Sequence, residues 1–99
     1  MNQDLPKSVN LMVISPSELL VDEEVQEVSL PSLEGYLGIY PGHRPLFVAL
    51  GQGVLSFKSA YREGEVPVRR GYAEVLSDRV LAFIEQGEDE TVRSSEGQG

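Results

Sequence analysis

The chain has 99 residues, no cysteine, and 16 acidic against 8 basic side chains, so its formal net charge is −8. This length predicts one domain with a small core, and the absence of cysteine excludes disulfides, thiolate metal sites and cysteine nucleophiles. An acidic surface repels phosphate groups, so we expect neither nucleic-acid binding nor direct contact with anionic lipid.

The first half of the chain has the two-residue hydrophobic repeat of β-strands. We expect residues 1–8 to be flexible, with a first strand from Val9 onward. Val25, Val28 and Leu30 stand among acidic residues, which predicts one strand of the edge type. No ten-residue window has a helical stripe, and Ser17–Val21 has room for one helical turn at most.

The second half continues this pattern. The sequence GVLSFKS predicts a strand, and Glu65–Arg69 predicts another at an edge or bulge, because it contains a proline. Tyr72–Leu76 and Arg79–Ile84 predict a hairpin with a tight turn at Ser77-Asp78. The last of these strands contains the apolar run VLAFI, so we expect both of its faces to be buried.

Turn signals separate these segments at short intervals, which favours an all-β fold. We predict a β-sandwich or flattened barrel of about 8–10 mostly antiparallel strands over residues 9–86. Residues 87–99 are polar, charged and rich in glycine and serine. They predict a disordered C-terminal tail.

No group of residues has the composition and spacing of a catalytic, cofactor-binding or metal site. The chain has a single histidine, no G-x-S-x-G nucleophile elbow and no phosphate-binding glycine loop. Asp22-Glu23-Glu24 lacks the glycine and the spacing of a calcium loop. His43 fits three roles: a scaffold residue in a rigid loop, a contact residue at an interface, or a base that lacks an orienting partner. We therefore predict no catalytic residue, no metal and no cofactor.

The charge is unevenly distributed along the chain. Residues 1–43 carry seven acidic side chains and one basic side chain, whereas residues 44–99 carry nine and seven. The excess in the first half serves either solubility alone or contact with a basic partner. No apolar run approaches the roughly 18–20 residues of a membrane span, and no signal-peptide core follows Met1. We expect a soluble protein that reaches a membrane only through a partner.

The segment Glu34–Leu46, EGYLGIYPGHRPL, has an unusual composition for a loop. It combines three glycines and two prolines with the large apolar side chains of Tyr36, Leu37, Ile39 and Tyr40. Glycine permits close approach of the backbone, and exposed apolar side chains are typical of binding surfaces. The composition fits either a bulged strand and loop packed on the core or a protein-binding tip.

The order of the segments resembles the ε subunits of bacterial F-type ATP synthases. The resemblance spans Leu11–Glu85 and rests on five segments in the family's order and spacing. These segments are LMVISP at Leu11–Pro16, EVQEVSLP at Glu24–Pro31, the signature EGYLGIYPGHRPL at Glu34–Leu46, GVL at Gly53–Leu55, and the hairpin Arg70–Ile84.

This resemblance implies a central-stalk subunit that turns with the rotor and performs no bond chemistry of its own. Its partners would be the γ subunit and the membrane c-ring, at the cytoplasmic face of the bacterial plasma membrane. The implied c-ring contacts are Glu34, Gly35, Tyr36 and Leu37, with Tyr36 and Leu37 facing outward. Pro41, Gly42, His43, Arg44, Pro45 and Leu46 would support this tip or extend the contact. The implied γ contacts are Ser15, Pro16, Arg70, Gly71, Tyr72 and Glu74.

The sequence departs from the family pattern in three places. Arg70-Gly71 stands where the family usually has two glycines, and Arg44 stands where it often has a small residue. Nothing helical follows Glu85, although the family typically continues with two helices, so the chain is either a naturally short member or a cut one. The residues alone leave two alternatives. One is a free-standing β-sandwich binding module, and the other is a small hydrolase, which is less consistent with the absence of a catalytic group of residues.

Overall fold

A computed structural model describes residues 6–87 and the backbone of residues 93–96. The described residues form ten strands and no helix. The strands are β1 (Val9–Ile14), β2 (Leu19–Val25), β3 (Glu27–Ser32), β4 (Gly35–Ile39), β5 (Leu46–Leu50), β6 (Gly53–Lys58), β7 (Arg62–Val68), β8 (Arg70–Val75), β9 (Arg79–Glu85) and β10 (Arg93–Glu96). The predicted hairpin is confirmed, since β8 and β9 are joined by a turn in which the Leu76 amide donates to the Arg79 carbonyl at 2.8 Å.

The ten strands belong to one sheet in the order β10-β7-β6-β3-β5-β8-β9-β1-β2, with β4 paired to β3. All pairings are antiparallel except that of β1 with β9. Strands β3 and β5 share only one register pair, Ser32 with Leu50. The sheet turns over at this weak junction, so that β4, β3, β6, β7 and β10 face β5, β8, β9, β1 and β2. This confirms the predicted all-β sandwich.

Strand alternation fills the space between the two layers. Val9, Leu11 and Val13 of β1 are fully buried, while the residues between them are half-buried. Strand β9 was expected to be buried on both faces. Its inward residues are buried, but Leu81 and Phe83 on the outward face are only half-buried, because the sandwich has one interior.

The acidic segment around Val25 differs from its prediction as a single strand. The strand is interrupted at Gln26, whose backbone amide donates to the Lys58 carbonyl at 2.7 Å. Val25 therefore ends the edge strand β2, whereas Val28 and Leu30 lie in the central strand β3. Buried and exposed side chains alternate along the segment as predicted, but its first half belongs to one layer and its second half to the other.

The C-terminal tail also differs from its prediction. Arg93–Glu96 form strand β10, which pairs with Arg62–Glu65 of β7, so the expected disorder is wrong for these four residues. Residues 1–5, 88–92 and 97–99 lie outside the described residues. Pro67 of β7 lies beyond the part that β10 covers, which is the edge position expected of a strand proline.

A forked ion pair joins β7 to β2 across the sandwich. The Nε atom of Arg62 donates to both carboxylate oxygens of Glu23 at 3.1 Å, and Nη2 donates to Oε1 at 2.5 Å. The Arg62 guanidinium also lies 5.3 Å from the centroid of the Phe57 ring. The hydrogen bonds from Arg62 lower the pKa of Glu23 below its ordinary value, against the opposing effect of burial. The bidentate geometry makes this pair stronger than an ordinary surface ion pair.

The Glu23–Arg62 pair predicts a specific pH dependence of stability. The folded-state pKa of Glu23 is lowered from 4.5, so the stabilisation is complete above that pH and is lost as the pH falls through the folded-state value. We expect Glu23→Gln to lower the free energy of unfolding by about 1–2 kcal/mol at pH 7, and the difference from wild type to shrink below pH 4.5. Urea denaturation across this range measures it.

Glu18→Gln is the matched control, because Glu18 is exposed in the β1–β2 turn. It should leave the free energy of unfolding within about 0.5 kcal/mol of wild type. A Glu23→Gln difference that stays constant from pH 7 to pH 3 would contradict the assignment.

Candidate protein-interaction surface

The chain reversals divide the sandwich into two ends with different features. The tip end carries the turns at residues 15–18, 33–34 and 51–52, together with the β7–β8 connection at Arg69. The loop end carries the long β4–β5 loop at residues 40–45 and the turns at 59–61 and 77–78. The sequence-predicted contacts fall on both ends, so the structure separates them.

The tip is the tight turn between β3 and β4. The Ser32 hydroxyl accepts a hydrogen bond from the Glu34 amide at 3.1 Å and donates to the Gly35 carbonyl. Gly35 has a φ of 120°, a left-handed conformation that favours glycine. Glu34 is exposed, and Leu33 beside it is 70% exposed. The tip is therefore a fixed turn that presents one carboxylate and one apolar side chain, and the sequence analysis missed Leu33.

Tyr36 and Leu37 follow the tip on opposite faces of β4. Tyr36 is 62% exposed, whereas Leu37 is partly buried and packs against the core. The prediction that both face outward is wrong for Leu37, because adjacent side chains on a strand point to opposite faces. Leu37 thus supports the tip from inside.

The loop Pro41–Pro45 lies at the loop end, one strand length of about 16 Å from the tip. Gly42, with a φ of 88°, donates its amide to the Ser77 carbonyl at 2.8 Å. The loop therefore braces the β8–β9 turn and not the tip. Leu46, by contrast, lines a groove together with the tip residues. The role of Pro41–Pro45 as an interface stays a prediction.

His43 is held inside this loop. Its amide donates to the Tyr40 carbonyl at 3.1 Å, and its Nδ1 atom lies 2.7 Å from the Arg44 carbonyl. Since a carbonyl only accepts, Nδ1 carries the proton. This geometry agrees with the scaffold role. The Arg44 side chain is exposed, so its size meets no steric obstacle.

A groove of about 630 Å³ at the tip end brings five of the six predicted γ contacts together. These are Ser15, Pro16, Arg70, Gly71 and Tyr72. Glu74 lies two residues further along β8 on the same face, outside the groove. The remaining lining includes Ile14, which belongs to the LMVISP segment of the resemblance. It also includes Leu33, Ala49 and Phe83, which the sequence analysis did not single out.

An aromatic row follows the outward face beside this groove. The ring centroids of Phe47 and Tyr72 are 5.4 Å apart, and those of Tyr72 and Phe83 are 5.2 Å apart. Phe47 is 67% exposed and Tyr72 is 44% exposed. The only sequence signal for Phe47 and Phe83 is their position in the strand alternation. Each lies next to a buried residue of its strand, which places it on the outward face.

A second groove of about 410 Å³ runs between the tip and β5. Leu33 and Ala49 line both grooves. The tip and the aromatic row therefore form one continuous apolar surface at the tip end. Exposed apolar side chains that lie next to one another are typical of protein-interaction sites.

At Arg70-Gly71, where the family usually has two glycines, the structure explains why an arginine is tolerated at the first position. The Arg70 side chain is exposed and lies 3.6 Å from the Glu85 carboxylate, so the first position accepts a side chain. Gly71 has a φ of 155°, and a Cβ atom there would clash with the Phe83 carbonyl and lie 2.9 Å from the Ile84 Cα. Only the second glycine is sterically required.

Within the described residues, no three histidine, cysteine or acidic side chains converge on a place that could hold a metal ion. That part of the chain also contains no helix of the length and hydropathy of a membrane span. What the geometry offers is an apolar surface with aromatic anchors.

Comparison with known proteins identifies the family. Residues 8–90 match the family described as the β-sandwich domain of the ATP synthase delta/epsilon chain. The chain belongs to this family.

Individual relatives agree with this assignment. The chain is 40% identical over 88 residues to the ATP synthase epsilon chain of Solibacter usitatus, covering 87% of this chain and 66% of that protein. It is 38% identical over 86 residues to the chloroplastic epsilon chain of Pylaiella littoralis, covering 87% and 64%. The chain thus spans slightly less than two thirds of the length of these relatives.

Two solved structures share the fold. One is the mitochondrial ATP synthase of Euglena gracilis, in a structure of OSCP, F1 and the c-ring, with a TM-score of 0.74 at 20% identity over 97% of this chain and 57% of that chain. The other is the central stalk and c-ring of the Tetrahymena thermophila mitochondrial enzyme, with a TM-score of 0.66 at 10% identity over 85% and 67%.

The contrast between Arg70 and Gly71 can be measured. We expect Gly71→Ala to lower the free energy of unfolding by about 2–3 kcal/mol, because it combines backbone strain with a clash against β9. Arg70→Ala, its neighbour, should change it by less than about 1 kcal/mol. Chemical denaturation of both variants tests this, and equal effects would show that the backbone at Gly71 tolerates a side chain.

The opposite orientations of the tip residues give a second prediction. Leu37→Asp places a carboxylate against the core and should lower the free energy of unfolding by about 3 kcal/mol or more. Leu33→Asp changes an exposed residue four positions earlier and should stay within about 0.5 kcal/mol of wild type. Thermal and urea unfolding compare the two, and a stable Leu37→Asp variant would refute the inward placement.

Proposed function

We propose that this chain is the β-sandwich of the central-stalk ε subunit of a proton-translocating F-type ATP synthase. It links the γ subunit to the c-ring, turns with the rotor and couples ion flow to ATP synthesis without bond chemistry of its own. The observation that carries the proposal is the continuous apolar surface at the tip end. The family membership and the relatives named as epsilon chains support it.

The aromatic row and its groove suit the γ subunit. They extend across β5, β8, β9 and β1, and specific interfaces need a broad contact of about 800 Å² on each partner. Tyr72 stands in the middle of the row, in contact with both Phe47 and Phe83. Partly exposed aromatic side chains at the centre of a surface are typical binding hot spots.

The tip suits the polar loops of the c-ring. Its turn projects at the end of the sandwich, and the Ser32 hydroxyl holds it in one conformation. Glu34 presents a carboxylate at its apex, which would guide assembly against basic ring residues more than it would add affinity. Leu33 and Ala49 join this contact to the γ surface, so one end of the domain would touch both partners.

The stalk position imposes a mechanical load. One charge crossing 100 mV releases about 2.3 kcal/mol, so the ions of one turn deliver tens of kcal/mol through the stalk. A sandwich whose layers are joined by the Glu23–Arg62 fork and hydrogen-bonded strands is a stiff link. The complex would lie at the cytoplasmic face of the bacterial plasma membrane, and this chain would reach the membrane only through the c-ring.

Tyr72→Asp tests the γ contact. We expect it to weaken binding to purified γ by at least about 30-fold, as for loss of a hot-spot residue, while the circular dichroism of the chain stays that of wild type. Tyr61→Asp is the matched control, because Tyr61 is 81% exposed at the loop end. Calorimetric titration measures both affinities.

Glu34→Lys tests the ring contact separately. It should keep the γ affinity of wild type and lower proton-driven ATP synthesis in vesicles that contain the reconstituted complex. Wild-type γ affinity in Tyr72→Asp, or a Tyr61→Asp variant as weak as Tyr72→Asp, would overturn the γ surface. Unchanged ATP synthesis in Glu34→Lys would overturn the ring contact.

A further inference from the structure

Tyr36 reaches from β4 across β3 to the next strand of its layer. It lies opposite Pro31 in the β3–β4 register, and its hydroxyl accepts a hydrogen bond from the Val54 amide at 3.0 Å. The residue that was expected to contact a partner is therefore tied to β6, although much of its ring is exposed.

The Val54 amide is free for this bond because of the β6–β7 register. Val54 is paired with Pro67 on β7, and proline has no N–H. A residue without an N–H fits the non-hydrogen-bonded kind of antiparallel pair, in which the Val54 N–H points away from β7 and toward the Tyr36 hydroxyl. The β3–β6 ladder pairs residues 27–29 with 56–58 and does not reach Val54. The Tyr36 hydroxyl supplies the partner that a backbone amide requires.

A glycine and a second proline make room for the tyrosine. A Cβ atom on Gly53 would lie 2.6 Å from the Tyr36 hydroxyl oxygen and 2.8 Å from the Pro31 Cβ. Pro31 is buried although it lies on the outward face of β3, where it is the register partner of Tyr36. Gly53 and Pro31 are thus fitted to this one side chain.

We propose that Tyr36 is a positioning residue of the tip. By joining β4 to β6 at the base of the tip, its hydroxyl fixes the direction in which Leu33 and Glu34 project. The bond acts through the turn, since the hydroxyl faces β6 and not the end of the domain. This inference rests on the proposed function only in assigning the tip to the c-ring. The bond between Tyr36 and Val54 does not depend on any partner.

Amide hydrogen exchange of the 99-residue chain tests the bond. Tyr36→Phe removes only the hydroxyl, and we expect the Val54 amide to exchange about fivefold to tenfold faster, with reduced ¹⁵N order parameters at Glu34 and Gly35. The Ala82 amide, in the core strand β9, should keep its wild-type rate. Tyr61→Phe makes the same chemical change at the loop end and should alter none of these values. An unchanged Val54 rate in Tyr36→Phe would overturn the bond.

The reconstituted complex tests the positioning role. Tyr36→Phe should weaken association with the c-ring about threefold to tenfold and leave γ affinity at its wild-type value. Faster Val54 exchange with wild-type ring association would overturn the positioning role. A wild-type chain that does not associate with the ring would overturn the proposed ring contact, whereas the exchange result would still decide whether the bond exists.

Discussion

The architecture depends on one constraint, the alternation of side chains along strands around a single interior. Each strand places every second residue between the layers, and a domain of this size has no second core for the others. Apolar residues of the opposite parity therefore stay at the surface. Phe47, Tyr72 and Phe83 are such residues, and the strand register aligns them into one row. The interaction surface follows from the register as much as from the residues themselves.

Backbone chemistry shapes the ends of the sandwich. The β6–β7 register leaves the Val54 amide without a ladder partner on β7, and the Tyr36 hydroxyl accepts its hydrogen bond. Gly71 lets β8 approach β9 beneath the groove, and Gly42 connects the β4–β5 loop to the β8–β9 turn. Val54, Gly71 and Gly42 act here through their backbone and not through a side-chain functional group. They matter because they decide where the exposed side chains point.

Several expectations depended on distances that sequence order does not reveal. Glu34 and Pro41 are seven residues apart, yet strand β4 separates them, so the tip and the loop lie at opposite ends of the sandwich. Leu37 follows Tyr36 directly and yet lies on the other face. Ser15 and Tyr72, far apart in the sequence, line the same groove. In each case the geometry of the strands decided whether two residues meet.

The sequence by itself determined most of the strands, the hairpin at Ser77-Asp78, the all-β class and the family, because these depend on local alternation, turn residues and a contiguous motif. Through the family resemblance it also indicated five of the twelve residues that line the larger groove. Only the tertiary structure decided that β3 and β5 barely pair, that the layers close through Glu23 and Arg62, and that Leu33 joins two grooves. These features depend on register and on contacts between distant strands, and a one-dimensional pattern does not contain them.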